Sequence, residues 1–146
     1  MKFKAQKESV NYLFTQVCKL RRNQSNLLLS ASGLHAGQDV LLYYLDMHDG
    51  QTITALAEKM QVQYATISNM IDRMEAAGLL NKKKDEVDKR TSRVFLTGEG
   101  RQCVGKINDA WRILEAKTLE GFTSDEKIAL TGLLSRILLN LKSQSV

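Results

Sequence analysis

The stretch QYATISNMIDRMEAAGLL, residues 63–80, decides how the chain is read. At roughly 100° per residue, Ile67, Met70, Ile71 and Met74 fall within about 60° of one direction, so a helix over 63–77 has one face to bury. Gly78 then supplies the C-terminal stop. The opposite face carries Ala65, Asn69, Asp72 and Ala76, flanked by Thr66, Ser68 and Arg73, with Gln63 and Tyr64 at the start. Small and amide-bearing side chains suit a helix that enters a groove of duplex DNA. Gln63 or Asn69 can pair with an adenine edge, Tyr64 and Thr66 can touch thymine methyls or phosphates, and Arg73 is placed for a phosphate. The competing reading makes Gln63, Ser68 and Asn69 an ordinary solvated face.

On the N-terminal side, Thr52 or Thr54 can cap a short helix whose Leu56, Ala57 and Met60 point inward. A tight Gln61-Val62 connection joins it to the longer helix, which makes a helix-turn-helix. Before it, apolar spacing predicts helices over 8–30 and 36–47, punctuated by Ser32-Gly33 and by His48-Asp49-Gly50. On the C-terminal side, residues 79–84 and 91–96 flank a charged turn as two strands, with Val94 and Leu96 inward and Arg93 and Phe95 outward. Two further helices follow, over 99–119 and 124–142, the second opened by Thr123-Ser124-Asp125-Glu126 as a capping box. The fold class is therefore mainly α with a small β-hairpin wing: a winged helix-turn-helix over 36–97, plus dimerisation helices in 1–35 and 98–146.

The hairpin is the second candidate contact. Residues 82–93 hold six basic and three acidic side chains. Lys82, Lys84, Lys89, Arg90 and Arg93 can reach a DNA backbone or a minor groove, where a narrow groove favours arginine. Asp88 and Arg90 lie near the tip, so an ion pair between them can hold the arginine in position, although an exposed pair adds only about 0–1 kcal/mol of stability. Lys83 alone reads as a solubilising residue.

Bulk numbers agree with a folded DNA-binding protein without requiring one. The chain has 146 residues, 43% apolar and 25% charged, with a formal charge of +5, which excludes a disordered or fibrous class. Residues 1–4 lead into a polar run rather than a signal-peptide core, and no apolar stretch is long enough for a membrane span, so a cytoplasmic protein is expected. Cys18 and Cys103 stand apart from any CxxC or histidine cluster and read as free thiols. No metal set and no cofactor motif is present; no glycine-framed nucleophile, phosphate-cradling loop or paired carboxylates suggest an enzyme. Residues 127–141, KIALTGLLSRILLNL, carry leucine or isoleucine at eight positions, more apolar surface than a lone peripheral helix needs. A second copy in a symmetric dimer would cover it.

This pattern resembles the MarR family of bacterial winged helix-turn-helix transcriptional regulators. The resemblance rests on LHAGQ at 34–38, LAE at 56–58, TISNMIDRMEAAGLL at 66–80, DKR at 88–90 and LTGEG at 96–100. Three positions depart from the family pattern: His35 stands for a common threonine, Ala55 for a frequent acid, and no proline precedes the wing aspartate. The resemblance implies a homodimeric repressor on a pseudo-palindromic double-stranded DNA operator, released by a small molecule or an oxidant. Asp88 and Arg90 match its wing motif, and Gln63 to Arg73 its major-groove helix. It also implies an effector crevice, for which Tyr12, His35, Tyr43, Tyr44, His48 and Trp111 are the candidates to hold a small aromatic or phenolic effector. His35 has the plainer alternative of capping the second helix.

Two other functions compete. One is a winged-helix protein-interaction module whose basic wing meets an acidic protein surface. The other is a peroxide-sensing repressor using Cys18, which counting along the first helix sets about two turns beyond the sensing position of the relatives it would imitate.

Overall fold

The computed structural model describes residues 9–142; the expected helix start at Glu8 and residues 1–4 lie outside them. Its elements are α1 (Val10–Ser30), α2 (Gln38–Met47), β1 (Gln51–Thr52), α3 (Ile53–Met60), α4 (Tyr64–Ala76), β2 (Leu80–Lys84), β3 (Ser92–Leu96), α5 (Gly98–Thr118) and α6 (Ser124–Lys142). The expected mainly helical winged fold is present, with the helix-turn-helix formed by α3 and α4. The chain divides into two compact units, one running through Leu114 and the other from Glu115.

One helix boundary and one strand differ most from expectation. α2 begins at Gln38 rather than Ala36, because Gly37 at its N-cap has φ of 102°, a conformation outside any helix. His35 does not cap this helix with its side chain: its backbone N–H donates to Gln38 Oε1 at 3.0 Å, and the ring is exposed. β1, two residues long, pairs antiparallel with β3 and makes the sheet three-stranded in the order β1-β3-β2. A strand of two residues has too little periodicity to be read from sequence.

Of the two threonines, Thr52 is the cap of α3, accepting the Ala55 N–H at 3.1 Å. α3 ends on Gln61 in the left-handed region at φ of 53°, which turns the chain sharply into Gln63 and α4. Leu41, Leu42, Leu45, Leu56, Ile67, Ile71, Met74, Leu80 and Val94 are buried together. The same core takes Leu29 and Leu34 from the N-terminal side and Cys103, Val104, Ile107 and Ala110 from α5, so it extends beyond 36–97. Burial pushes the Cys103 thiol pKa up, while Lys106 pulls it slightly back.

The junction of wing and α5 explains the LTGEG run. Leu96 is buried, and the Thr97 hydroxyl donates to the Gly78 carbonyl at 2.6 Å while accepting the Gly100 N–H at 3.1 Å. A Cβ on Gly100 would stand 2.3 Å from the Leu79 carbonyl oxygen, so only glycine lets the first turn of α5 approach this closely. Gly100→Ala is expected to lower stability by about 1–3 kcal/mol, read as a lower denaturant midpoint at unchanged slope.

The second unit is described by α6, whose entry is a complete capping box. Thr123 N–H donates to Glu126 Oε1 at 3.0 Å, and Glu126 N–H donates to Thr123 Oγ1 at 3.2 Å. The Thr123 backbone and side-chain bonds hold the Glu126 carboxyl below its ordinary pKa. That contribution is present above the ordinary carboxylate range and is lost as pH falls through the lowered value. No residue of α6 is buried.

Candidate nucleic-acid interface

α4 presents its two faces as the periodicity requires. Ile67, Ile71 and Met74 are buried, while Tyr64, Thr66, Asn69 and Arg73 are exposed and Ser68 is half-buried. Gln63 is the N-cap rather than a helical residue and makes no side-chain cap bond. Its carbonyl accepts Thr66 N–H at 3.0 Å and Ile67 N–H at 3.2 Å. Gln63, exposed at the N-cap, and the first-turn backbone donors of α4 thus stand at the same end of the helix, where the helix dipole favours an anion.

Beside it, β2 and β3 pair in register from Leu80 opposite Leu96 to Lys84 opposite Ser92. Val94 is buried, and Arg93 and Phe95 share the outer face of the sheet. Phe95 lies against Gly50, where an added Cβ would come within 2.8 Å of its ring. Lys83, expected to be merely solvated, sits with Nζ 5.3 Å from the centre of that ring.

The wing cations fall into two groups. Lys82 Nζ lies 2.5 Å from Asp72 Oδ1 and 3.8 Å from Glu75 Oε1, and its backbone N–H donates to Glu75 Oε2 at 2.7 Å. The Asp72 bond holds the Lys82 pKa up. Arg93 Nε donates to Asp85 Oδ1 and Arg93 Nη1 to the Gly50 carbonyl, both at 2.8 Å. Lys82 thus fastens β2 to α4, and Arg93 spans the sheet from the wing loop to the residue before β1. Lys84, Lys89 and Arg90 are exposed, and among the described residues they enter no ion pair, nor does Arg73.

The expected Asp88–Arg90 ion pair is absent among the described residues, and a backbone contact takes its place. Asp88 Oδ1 accepts the Arg90 backbone N–H at 3.1 Å, and Asp88 Oδ2 accepts the Thr91 hydroxyl at 3.2 Å. Asp88 folds the loop and so sets where Arg90 leaves it, while the guanidinium enters no ion pair among the described residues. The short aspartate reaches donors two and three residues on, which is the usual turn geometry of this side chain.

Of the six effector candidates, three come together. The Tyr43 ring centre is 5.1 Å from that of Trp111 and 6.0 Å from that of Tyr44. Trp111 Nε1 donates to Asp39 Oδ2 at 2.7 Å, and Gly37 N–H donates to Asp39 Oδ1 at 2.8 Å. Tyr12 on α1, His35 before α2 and His48 at the end of α2 are exposed and make no ring contact with this cluster. An open hollow of about 340 Å³ is lined by Leu28, Ala31, Ser32, Lys106, Asp109, Ala110 and Ile113, none of them an effector candidate.

Sequence reasoning missed three polar residues that shape this lobe. Asp39 is only 4% exposed and joins α2 to α5 through Trp111. Asp49 accepts Leu96 N–H at 2.9 Å and pairs with Arg101 at 2.9 Å, tying the α2–β1 turn to the base of the wing. Gln51 is buried, donating to the Tyr44 and His48 carbonyls at 2.9 and 2.8 Å and accepting Lys59 Nζ at 2.5 Å. The available signal was an acid or amide set beside apolar helix and turn positions; the partners, up to 72 residues away, were not legible.

The MarR family model matches residues 34–92, from the loop before α2 into β3. Over this stretch the chain is similar to the MarR family. Relatives include the HTH-type transcriptional regulator YwaE of Bacillus subtilis strain 168, 29% identical over 129 residues, covering 88% of this chain and 75% of the relative. A MarR mutant from E. coli solved with operator DNA has the same fold at TM-score 0.82 and 23% identity, covering 88% of this chain and 93% of that one. Bordetella bronchiseptica BpsR, whose DNA binding is regulated by 6-hydroxynicotinic acid, matches at TM-score 0.81 and 24% identity over 90% of this chain and 94% of its own. No helix among the described residues of this chain is long and apolar enough to cross a membrane.

Proposed function

We propose that this chain is a sequence-specific DNA-binding transcriptional regulator, acting as a homodimeric repressor of a pseudo-palindromic operator and released by a small-molecule effector. One observation carries the reading: an exposed polar stripe on α4, open at its N-terminus, stands beside a hairpin whose Lys84, Lys89 and Arg90 are exposed and unpaired among the described residues. The helix suits base edges and the hairpin suits phosphates or a minor groove. Residues 36–97 serve as the DNA-binding lobe, and 1–35 with 98–146 as the dimerisation region. Pairing is supported by the exposed Val10, Leu13, Phe14, Val17 and Leu20 of α1 and by Ile128, Leu133, Leu134, Leu138, Leu139 and Leu141 of α6.

The effector in this reading is a small aromatic or phenolic molecule, and Tyr43, Tyr44 and Trp111 are its first candidates for ring contact. The protein acts in the cytoplasm by binding rather than by catalysis. Selection of fragments from random duplex DNA tests the function. Asn69→Ala is expected to change the preferred sequence, Arg90→Ala to weaken the selected site, and Lys84→Ala to weaken all duplexes alike and lower the salt slope by about 1. Equal, small effects of all three on selected and random duplex would reject these roles.

A further inference from the structure

The wing carries a chain of bonds that links the turn after α2 to its exposed tip. Gly50 N–H donates to the Val94 carbonyl at 3.0 Å, and the Gly50 carbonyl in turn accepts Arg93 Nη1 at 2.8 Å. Arg93 Nε donates at 2.8 Å to Asp85 Oδ1, and the other oxygen of that carboxylate accepts the Asp88 backbone N–H at 3.2 Å. Asp88 Oδ1 then accepts the Arg90 backbone N–H at 3.1 Å. Asp85 is also held by its own N–H on the Thr91 carbonyl at 2.9 Å. Every link from Gly50 to Arg90 is thus a hydrogen bond, and Arg93 is the only long side chain in it.

Two facts separate Arg93 from Lys84, Lys89 and Arg90. Its guanidinium is turned along the sheet toward Gly50 and Asp85, and the Asp85 side chain is only 19% exposed. Bonds between ionised partners, one of them shielded, are stronger and more directional than those of a solvated surface pair. Lys84, Lys89 and Arg90 have no such anchor among the described residues.

We infer that Arg93 is a positioning residue for DNA binding: through Asp85 it sets the wing loop so that Lys89 and Arg90 meet the duplex, and it does not contact DNA itself. The inference rests on the reading of the chain as a sequence-specific DNA-binding protein. It makes a prediction about Asp85 that direct contact by Arg93 reverses. If Arg93 touched a phosphate, Asp85 would be its competitor and a like charge facing DNA, so Asp85→Asn would tighten binding. If Arg93 works through Asp85, the same substitution loosens the loop and weakens binding.

The test measures affinity of the full-length protein for a duplex selected by the wild type, using Arg93→Ala, Asp85→Asn, the double variant and Arg93→Lys. Each of the first two should weaken binding by about tenfold, and the double variant should be no worse than either single within about threefold, as expected when two residues act through one contact. Arg93→Lys should regain part of the loss, because an ammonium can hold Asp85 but lacks the fork that also reaches Gly50. Tighter binding by Asp85→Asn, or a double loss equal to the product of the single losses, overturns the inference. Should Arg93→Ala fail to fold, the direction of the near-isosteric Asp85→Asn still decides. A DNA-free readout separates this inference from the functional reading. The Arg93 bond holds the Asp85 carboxyl below its ordinary pKa, so in Arg93→Ala its carboxyl carbon resonance should titrate at higher pH. If the wild type selects no duplex, the functional reading fails; an unmoved Asp85 titration instead refutes the Arg93–Asp85 coupling itself.

Discussion

Raising salt from about 50 to about 200 mM is expected to weaken binding to the selected duplex by about 10⁴-fold, within the range typical of proteins that make many phosphate contacts. Each neutralised phosphate contributes about −0.9 to the slope of log affinity against log salt. Arg73, Lys84, Lys89 and Arg90 are exposed and unpaired among the described residues, and the proposed twofold pairing would double that set. The expected slope is therefore about −7. Had Lys82 and Arg93 also reached phosphates, it would be nearer −11. The geometry favours the smaller value, because Lys82 is committed to Asp72 and Glu75, and Arg93 to Asp85 and Gly50. Equilibrium titrations at four or five salt concentrations measure the slope. A value near −2 or shallower would remove the wing and α4 as the principal DNA surface.

Ile67→Ala should destabilise the protein by about 2–5 kcal/mol, although no atom of Ile67 faces the proposed DNA surface. Ile67 is fully buried and belongs to the cluster that joins α4 to α2, α3 and the wing strands. Its truncation removes apolar burial and leaves a void that close-packed neighbours fill only in part. Thr66→Ala, one residue away on the exposed side, should stay within about ±0.5 kcal/mol. The comparison is made by denaturant unfolding at fixed protein concentration, since pairing of chains would make the midpoint concentration-dependent. Similar costs at the two positions would mean that α4 is rotated from the orientation described.

Much of this lobe was legible because its signals are local and repeat. The spacing of Ile67, Ile71 and Met74 set the buried face of α4, Gly78 marked its end, and Val94 and Leu96 set the inward face of β3. The eight leucines and isoleucines of residues 127–141 marked α6 as carrying more apolar surface than a lone helix needs, and none of its residues is buried. What was not legible depends on where side chains end. Nothing adjacent to Asp39 announces Trp111, and nothing adjacent to Asp49 announces Arg101. Charge counting could gather Lys82, Arg93, Lys89 and Arg90 into one basic hairpin, but could not show that the first two turn back onto acids of the protein. Proximity in sequence made Asp88 and Arg90 look like an ion pair, whereas the short aspartate reaches the arginine's backbone first. The candidate effector residues were chosen by ring type, and contact between rings requires the meeting of α2 and α5 that brings Tyr43 to Trp111.

In the proposed function the chain reads sequence with α4 and holds the duplex with its wing. The most direct measurement compares affinity for the selected duplex with affinity for random duplex of the same length at about 150 mM salt. The expected preference is about 10³-fold or more, with single base-pair changes in either half-site costing about 1–3 kcal/mol each. Equal affinity for the two duplexes, with no loss at any substituted base pair, would contradict it.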